Sequence, residues 1–235
     1  MNFKEIFSEK LKEANIQLTD IQVSQFVRYY ELLVETNKVM NLTALTEPED
    51  VAVKHFIDCL LAYDKDMQNA TIADVGTGAG FPGMVWKIYD PTLKVTLIDS
   101  LNKRLKFLQT VIDELQLKDI ATLHSRAEDA GRDKKLREHF DFVTARAVAR
   151  MSVLAEFCLP LVNVGGTFLA LKADAAEEVA EAAKAVALLG GAECVMKDIK
   201  LPGLADKRTL VSVKKIKPTS GKYPRKAGMA AKEPL

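Results

Sequence analysis

The sequence predicts an α/β fold in which a doubly wound, mostly parallel β-sheet carries helices on both faces. From residue 71 onwards, strand-like apolar runs alternate with amphipathic helix-like runs, as the crossover connections of a parallel sheet require. The chain has 235 residues, of which 48% are hydrophobic, and this is enough for one such domain with a small extension. A glycine-rich turn after the first predicted strand indicates a ligand pocket at the carboxyl ends of the strands.

That turn carries glycine at three alternate positions. A buried strand is predicted over Thr71–Val75, followed by Gly76, Gly78 and Gly80, and the sequence becomes helical after Pro82. Residues without a Cβ allow the backbone to approach a ligand closely. A strand, a glycine turn and a helix N-terminus together indicate a nucleotide-type pocket, and the alternative is a tight turn that binds nothing.

An acidic residue distinguishes this turn from a dinucleotide-binding fingerprint. Asp74 stands two residues ahead of the first glycine, so the pattern reads D-x-G-x-G-x-G and not G-x-G-x-x-G. It resembles motif I of S-adenosylmethionine-dependent methyltransferases, in which the acidic residue faces the cationic methionine end of the cofactor. Residues 93–98 predict the second strand. Asp99 at its end is expected to accept hydrogen bonds from the ribose hydroxyls or, alternatively, to cap the next helix.

Residues 1–65 are predicted to form a helical extension that packs on the core. Helical periodicity covers residues 3–14, Thr19 is the predicted N-cap of a longer second helix, and Pro48 begins a third. His55 and Asp58 lie on the third helix. A lone histidine on a mostly apolar helix is usually structural, and the sequence assigns neither residue a role.

After Asp99 the predicted elements keep alternating up to residue 217, which ends the predicted catalytic domain (66–217). The helices are expected over residues 101–115, 151–159 and 175–189, and the strands over residues 121–124, 142–145, 167–171, 193–201 and 208–216. The last two strands are close enough to pair antiparallel. A methyltransferase fold would contain such a pair, whereas a plain dinucleotide-binding fold would not.

Charge is distributed unevenly along the chain. The formal net charge is +1, yet residues 207–235 carry +8 and the remaining residues −7. A basic end on an otherwise acidic protein suggests a polyanionic partner for the predicted tail (218–235), and a solvated tail is the alternative.

Other features of the sequence narrow the class of protein. No run is apolar enough to cross a bilayer and the N-terminus does not resemble a signal peptide, so a cytoplasmic protein without membrane contact is expected. The three cysteines are odd in number and widely spaced, which fits reduced thiols. Neither they nor the three histidines show metal-ligand spacing, so no metal site is expected.

Three cations lie where the pocket is predicted. Lys103 and Arg104 occupy the first turn of a helix, where the macrodipole disfavours positive charge, next to Asp99. This position favours contact with an anionic substrate, and ordinary surface charge is the alternative. Arg146 follows the fourth predicted strand, where many methyltransferases place residues that handle the target, and the alternative is an ordinary surface arginine at a strand end.

Seven short motifs are spread over nearly the whole chain: Asn41-Leu42-Thr43, His55-Phe56-Ile57-Asp58, the segment from Asp74 to Gly83, Asp99-Ser100-Leu101-Asn102-Lys103-Arg104, Arg126-Ala127-Glu128, Ala145-Arg146-Ala147-Val148 and Lys222-Tyr223-Pro224-Arg225-Lys226-Ala227-Gly228. They resemble the motifs of the RsmG family, also called glucose-inhibited division protein B, whose members are methyltransferases that form 7-methylguanosine in small-subunit rRNA. The glycine motif alone indicates a methyltransferase, and the set together is specific to the family.

The resemblance implies methyl transfer from S-adenosyl-L-methionine to N7 of a guanosine in 16S rRNA, which leaves S-adenosyl-L-homocysteine. It implies a Rossmann-like methyltransferase fold with a seven-stranded sheet. The cofactor contacts that it implies are Gly76, Phe81, Ala127, Glu128 and Arg146. Asp74, Gly78 and Asp99 join them from the pocket argument.

Arg146 is the candidate catalytic residue, with the role of orienting cofactor and nucleotide. Guanine N7 carries a lone pair and no proton, so no general base is needed. The candidate RNA contacts are Lys103, Arg104, Lys222, Arg225 and Lys226. Replacing the three cations of the tail by alanine is expected to leave cofactor affinity nearly intact.

The expected partner is 16S rRNA or a small-subunit precursor particle, and the protein is expected to be a monomer. Two alternatives remain open at this point. One is a methyltransferase that acts on another substrate, and the other is a non-catalytic ribosome-assembly factor that retains the pocket.

Overall fold

One seven-stranded sheet organises the protein, as a computed structural model describes it for residues 2–205 and 207–235. The strands in chain order are β1 (Thr71–Val75), β2 (Lys94–Asp99), β3 (Ile120–His124), β4 (Phe140–Arg146), β5 (Val162–Lys172), β6 (Val195–Ile199) and β7 (Arg208–Lys214). Across the sheet they follow the order β3-β2-β1-β4-β5-β7-β6. Strands β1 to β5 pair in parallel, and β7 runs antiparallel to both β5 and β6. The predicted mostly parallel sheet with an antiparallel last strand is therefore confirmed.

Helices connect and flank these strands. They are α1 (Phe3–Glu13), α2 (Asp20–Met40), α3 (Pro48–Asp50), a π-helical segment (Val51–Ile57), α4 (Asp58–Leu61), a 3₁₀ turn (Lys65–Met67), α5 (Gly83–Tyr89), α6 (Asn102–Glu114), α7 (Ala127–Ala130), α8 (Met151–Cys158), α9 (Ala176–Leu188) and α10 (Met229–Lys232). Since successive strand residues point to opposite faces, the sheet contributes to two apolar clusters. Ile72 packs in one cluster and its neighbour Ala73 in the other.

The N-terminal helices begin with side-chain caps that the sequence encodes locally. Thr19 accepts a hydrogen bond from the backbone of Gln22, and the Gln22 side chain accepts one from the backbone of Thr19, which confirms the predicted N-cap. Asn2 and Glu5 make the same reciprocal pair at the start of α1. Each such pair satisfies two backbone donors that would otherwise lack partners.

The helical extension shares its core with the sheet. Phe7, Phe26 and Phe56 are fully buried together in the cluster that also holds Ile72 of β1. The third predicted helix differs from expectation in its middle, since Val51–Ile57 is π-helical, with one extra residue per turn. This segment carries His55 and ends one residue before Asp58, so the irregularity lies where the extension meets the end of β4.

The described residues lack two other features. Within 2–205 and 207–235, no helix is both long and apolar enough to span a bilayer. The same residues contain no group of three or more histidine, cysteine, aspartate or glutamate side chains that could hold a metal ion. Cys59 and Cys158 are buried free thiols, and Cys194 is half-buried.

Candidate functional site

Two of the cavities lie at opposite ends of the parallel strands. One, of about 810 Å³, lies at the amino ends of the parallel strands, where Asn69, Asp141 and Gly165 line it. The other, of about 400 Å³, lies at their carboxyl ends. Because parallel α/β sheets bind ligands at the carboxyl ends of their strands, the second cavity is the candidate site. This carboxyl-edge cavity is lined by Val75, Gly76, Ile98, Asp99, Ser100, Arg104, Ser125, Arg126, Ala127, Glu128, Ala147, Val148, Phe157, Gly228 and Ala231.

Asp99 ends β2 inside this cavity and is only 3% exposed. Its Oδ2 accepts a hydrogen bond from the Gly78 backbone at 3.0 Å, and its Oδ1 accepts one from the Leu101 backbone at 2.8 Å. Arg104 approaches Oδ2 at 3.4 Å. A carboxylate has about four acceptor positions, two on each oxygen, so Oδ2 is filled by Gly78 and Arg104 whereas Oδ1 retains one position for a ligand's hydroxyl group. Asp99 thus connects the glycine loop to the cavity wall. Its hydrogen bond with the Leu101 backbone lies at the start of α6, so Asp99 has this second role as well.

Asp74 holds the glycine loop from beneath and does not line the cavity. The side chain is completely buried, and Oδ2 accepts hydrogen bonds from Thr77 Oγ1 at 2.7 Å and from the Gly83 backbone at 2.9 Å. Among the described residues, Oδ1 has no hydrogen-bond partner. Burial raises the pKa of Asp74 from 3.8 to about 6, against the lowering effect of the hydrogen bonds from Gly83 and Thr77. Asp74 therefore supports the loop that carries the three glycines, and its predicted contact with the cofactor stays a prediction.

Gly76 and Gly80 occupy positions that only glycine fits. Gly76 has φ +69°, and a Cβ there would lie 2.7 Å from Val148, which covers the loop from the β4 side. Gly80 has φ +103°, and a Cβ there would lie 2.5 Å from the Tyr29 hydroxyl. That hydroxyl donates to the carbonyl of Ala79. The alternating glycines therefore admit neighbours on both sides of the loop.

Arg146 ends β4 and is bound by the N-terminal extension. Its Nη1 donates to the Lys54 carbonyl at 3.0 Å and to Asp58 Oδ2 at 3.1 Å, and its Nη2 donates to His55 Nδ1 at 3.0 Å. The guanidinium carbon lies 4.9 Å from the centre of the Phe81 ring, within cation–π range. The Arg146 side chain is 14% exposed and does not line the carboxyl-edge cavity, whereas the next two residues, Ala147 and Val148, do.

His55 is held neutral in this arrangement. His55 Nδ1 lies 3.0 Å from Arg146 Nη2, which can only donate, and 3.2 Å from the Lys54 carbonyl, which can only accept. The shorter contact, with Arg146, favours the neutral ring that is protonated on Nε2, and Nε2 is 2.9 Å from Thr43 Oγ1. Burial, and then the neighbouring Arg146, lower the pKa of His55 from 6.5 to about 3. The imidazole also stacks on Phe81, with ring centres 4.5 Å apart.

Asp58 supplies the counter-charge. Burial raises the pKa of Asp58, although Arg146 and Arg208 favour its ionised form. Asp58 Oδ1 lies 3.8 Å from Arg208, and Oδ2 binds Arg146. His55 and Asp58, to which the sequence assigned no role, are therefore the side chains that orient Arg146.

Glu128 marks the opposite wall of the carboxyl-edge cavity. It follows β3 at the start of α7 and is 5% exposed, beside the half-buried Ala127. Its Oε1 accepts a hydrogen bond from the Gly228 backbone at 2.8 Å. Ala231 and Phe157 line the same cavity. Residues beyond β7, Gly228 and Ala231, thus line a site that the sequence predicted only at the ends of the strands.

Arg225 has a partner within the chain. Its guanidinium binds both carboxylate oxygens of Glu156, with Nη2 to Oε2 at 2.6 Å and Nε to Oε1 at 3.0 Å. Glu156 is only 1% exposed and requires a charge partner, which Arg225 supplies, so Arg225 has a structural contact that the sequence did not predict. Lys222 and Lys226 are exposed on either side.

The structure divides the remaining predicted residues by position. Gly76, Asp99, Ala127 and Glu128 line the carboxyl-edge cavity, and Arg104 reaches it while also contacting Asp99. Gly78 acts through its bond to Asp99, and Phe81 lies under Arg146. Lys103 is exposed on α6. Lining residues that the sequence argument had not selected include Ser100, Arg126, Val148, Phe157 and Ala231.

Comparisons with known proteins agree with this geometry. The family model described as GidB, rRNA small subunit methyltransferase G, matches residues 22–210. The protein named ribosomal RNA small subunit methyltransferase G of Exiguobacterium sp. is 53% identical over 232 residues, which cover 97% of this chain and 98% of that protein.

Solved structures with lower identity share the fold. A predicted O-methyltransferase of Agrobacterium tumefaciens superposes with a TM-score of 0.54 at 22% identity, over 66% of this chain and 78% of that one. TYW2 of M. jannaschii, solved in complex with AdoMet, gives a TM-score of 0.52 at 14% identity, over 67% of this chain and 73% of that one. The sheet order and the antiparallel β7 are those of a methyltransferase fold.

Proposed function

Because the chain belongs to the rRNA small subunit methyltransferase G family, also designated GidB, we propose that it transfers a methyl group from S-adenosyl-L-methionine to N7 of a guanosine in 16S rRNA. The observation that carries the proposal is that Gly76, Asp99 and Glu128, which follow three separate strands, line one cavity of about 400 Å³. Ala147, the residue after Arg146, lines it as well. If Gly76, Asp99 and Glu128 served only as separate turn, cap or surface residues, there would be no reason for them to line the same cavity.

The residues present fit this cofactor. Asp99 Oδ1 retains one acceptor position for a ribose hydroxyl, and Ala127 and Glu128 lie beyond β3, where the nucleoside base is expected. Asp74 Oδ1 is a buried acceptor without a partner among the described residues, under the loop that should face the cationic methionine end. A cation placed above the loop would compensate that carboxylate's buried charge.

The methyl donor would supply an electrophilic methyl group on a sulfonium. The residues of this chain would hold the donor and the guanine in position for the transfer. Guanine N7 has an in-plane lone pair and no proton. The reaction therefore needs no general base. Methyl transfer makes the purine cationic, so a guanidinium does not stabilise the product charge. Arg146, clamped by His55, Asp58 and the Lys54 carbonyl, therefore orients the reactants.

Exposed cations around the carboxyl-edge cavity support RNA as the partner. Arg126 lines the cavity and is exposed, and Lys103 is exposed four positions after Asp99. Lys222 and Lys226 are exposed in the part of the chain that leads to Gly228, a lining residue. Phosphate contacts of this kind produce salt-dependent binding. Replacing Lys222 and Lys226 by alanine should flatten the salt dependence of rRNA binding by up to about 0.7 per lost phosphate contact. Lys184→Ala, on the exposed side of α9, is the matched control, for which the parent slope is expected.

The experiment that tests the proposal uses labelled S-adenosylmethionine and 16S rRNA from a strain that lacks this protein. Two parallel reactions, with naked rRNA and with isolated small subunits, identify the form of the substrate. Nucleoside mass analysis should find 7-methylguanosine at close to one methyl per rRNA. Methylation of another nucleoside would contradict the N7 assignment. Cofactor binding without any RNA methylation would favour a different substrate.

A further inference from the structure

The C-terminal segment, defined here as residues 219–231, is bound to the rest of the protein near its beginning, its middle and its end. Arg137 donates to the carbonyls of Thr219 at 2.6 Å and Tyr223 at 2.7 Å. The buried Lys215 donates to Thr219 Oγ1 at 2.8 Å, and the Thr219 backbone donates to Glu138 at 2.7 Å. These contacts fix the first part of the segment beside the loop that precedes β4.

The middle of the C-terminal segment is anchored by a buried ion pair. Besides the two guanidinium contacts to Glu156, the Arg225 backbone donates to Glu156 Oε1 at 2.7 Å. A bidentate pair with an additional backbone bond fixes both the position and the direction of the chain at this point. Glu156 immediately precedes Phe157 on α8, and Phe157 lines the carboxyl-edge cavity. The anchor therefore lies directly behind the cavity wall.

The end of the C-terminal segment reaches the cavity itself. Gly228 and Ala231 are lining residues, Ala230 is 1% exposed, and the Gly228 backbone donates to Glu128 Oε1. Only Oε1 of the Glu128 carboxylate is engaged by a described residue. Gly228 has φ +83°, and a Cβ there would meet nothing within 4 Å, so the backbone at this point borders open space. One wall of the nucleoside end of the cavity thus comes from outside the sheet and its crossover helices.

We propose that the C-terminal segment is a built wall of the cofactor pocket and that Arg225 is a positioning residue for cofactor binding, because its pairing with Glu156 holds that wall against Glu128. The inference rests on the proposed function, since it assumes that the carboxyl-edge cavity binds S-adenosylmethionine. It replaces the expectation that the cations of the tail act on RNA alone.

The test is calorimetric titration of the full chain with S-adenosyl-L-homocysteine. Arg225→Ala should bind about tenfold more weakly, because one charge-assisted anchor is lost, and Arg225→Lys should recover part of the affinity. Lys217→Ala, which removes an exposed cation just before the segment, is the matched control and should bind as the parent does. 5′-Methylthioadenosine, which lacks the amino-acid end, should lose affinity by the same factor, because the wall adjoins the nucleoside end.

A second variant keeps the test decisive if Arg225→Ala does not fold. Removing residues 226–235 preserves the Arg225–Glu156 pair but deletes Gly228 and Ala231, so it should weaken both ligands in the same way. A merely structural role would lower the fraction of competent protein, seen as reduced stoichiometry, and leave the Kd of the rest unchanged. Parent-like Kd values for the folded truncated chain would overturn the inference and leave the proposed function standing. If the parent itself failed to bind S-adenosyl-L-homocysteine, the proposed function would fail first.

Discussion

The two sides of the site are assembled from contacts of very different range along the chain. Beneath the glycine loop, Asp74 binds residues three and nine positions away, and Asp99 reaches back 21 positions to Gly78. On the other side, the partners of Arg146 lie 88 to 92 positions earlier, in the N-terminal extension. The glycine-loop side is a local motif, whereas the Arg146 side exists only after the extension has packed against β4. Local sequence therefore reveals the ligand class more readily than it reveals the orienting machinery.

The two sides also differ in how burial acts on their ionisable groups. Beneath the glycine loop, burial raises the pKa of Asp74 to about 6. On the Arg146 side, burial lowers the pKa of His55 to about 3. Both shifts favour the neutral form, but one group gains its charge as pH rises and the other as pH falls. The predictions below separate the two sides, beginning with the largest expected effect.

Arg146→Ala should lower the single-turnover rate of rRNA methylation by on the order of 10², because misplacing reactants by about 1 Å is enough for a loss of this size. Arg146→Lys should recover little, since an ammonium cannot reproduce the planar contacts to both His55 and Asp58. Arg28→Ala, which removes an exposed ion pair with Glu114, should keep the parent rate. A parent-like rate for Arg146→Ala would show that the Arg146 side does not orient the reaction.

Asp99→Ala should weaken S-adenosylmethionine and S-adenosylhomocysteine together, because both carry the same ribose. The loss of a charge-assisted acceptor is worth about 1.5–3 kcal/mol, or roughly 10- to 100-fold in Kd. Asp99→Asn keeps one acceptor oxygen and should therefore lose less affinity for both ligands than Asp99→Ala. Isothermal titration measures both variants. Equal affinity of parent and Asp99→Ala would leave Asp99 only its bonds to Gly78 and Leu101.

His55 should make the protein less stable in acid. Its folded pKa of about 3 lies below its ordinary value of 6.5, so between these pH values the unfolded chain binds more protons. The free energy of unfolding should therefore fall by up to about 1.4 kcal/mol per pH unit as pH drops below 6.5, from this group alone. His55→Asn keeps an acceptor near Nδ1 and does not titrate. Urea unfolding between pH 4 and 7 should show a smaller acid-induced loss for this variant than for the parent.

Asp74 should act in the opposite sense over a narrower range. Its folded pKa of about 6 lies above its ordinary value of 3.8, so the folded state binds more protons between these values. Its contribution to stability is therefore present at low pH and is lost as pH rises towards 6. Asp74→Asn should remove this effect, so that the variant gains stability relative to the parent as pH rises from about 4 to 6. A constant difference in stability across that range would contradict the raised pKa.

Several elements were predictable because their causes are local. The capping pattern at Thr19, the strand–glycine–helix succession after β1 and the acidic end of β2 each follow from a few neighbouring residues. The alternation of strands and helices then leaves few topologies, since crossovers are right-handed and ligands bind where the strands end. The sheet and the nucleoside side of the cavity follow from these rules.

The sequence did not reveal the hydrogen-bond partners of two candidate site residues. Asp74 was predicted as a cofactor contact, and in the structure its Oδ2 is bound by Thr77 and Gly83 beneath the loop. Arg225 was predicted as an RNA contact, and its guanidinium pairs with Glu156, which lies 69 positions earlier in the chain. Counting charges along the sequence shows that a cation is present but does not show which carboxylate it pairs with in the fold.

The sequence alone therefore determined the fold class, the glycine loop and the Asp99 end of β2, since periodicity, caps and missing Cβ atoms act over a few residues. Only the tertiary structure decided that His55 and Asp58 hold Arg146 and that the C-terminal segment lines part of the cavity. The physical reason is that a buried charge must be paired wherever the fold brings a partner within reach, and that partner is chosen by packing between distant segments.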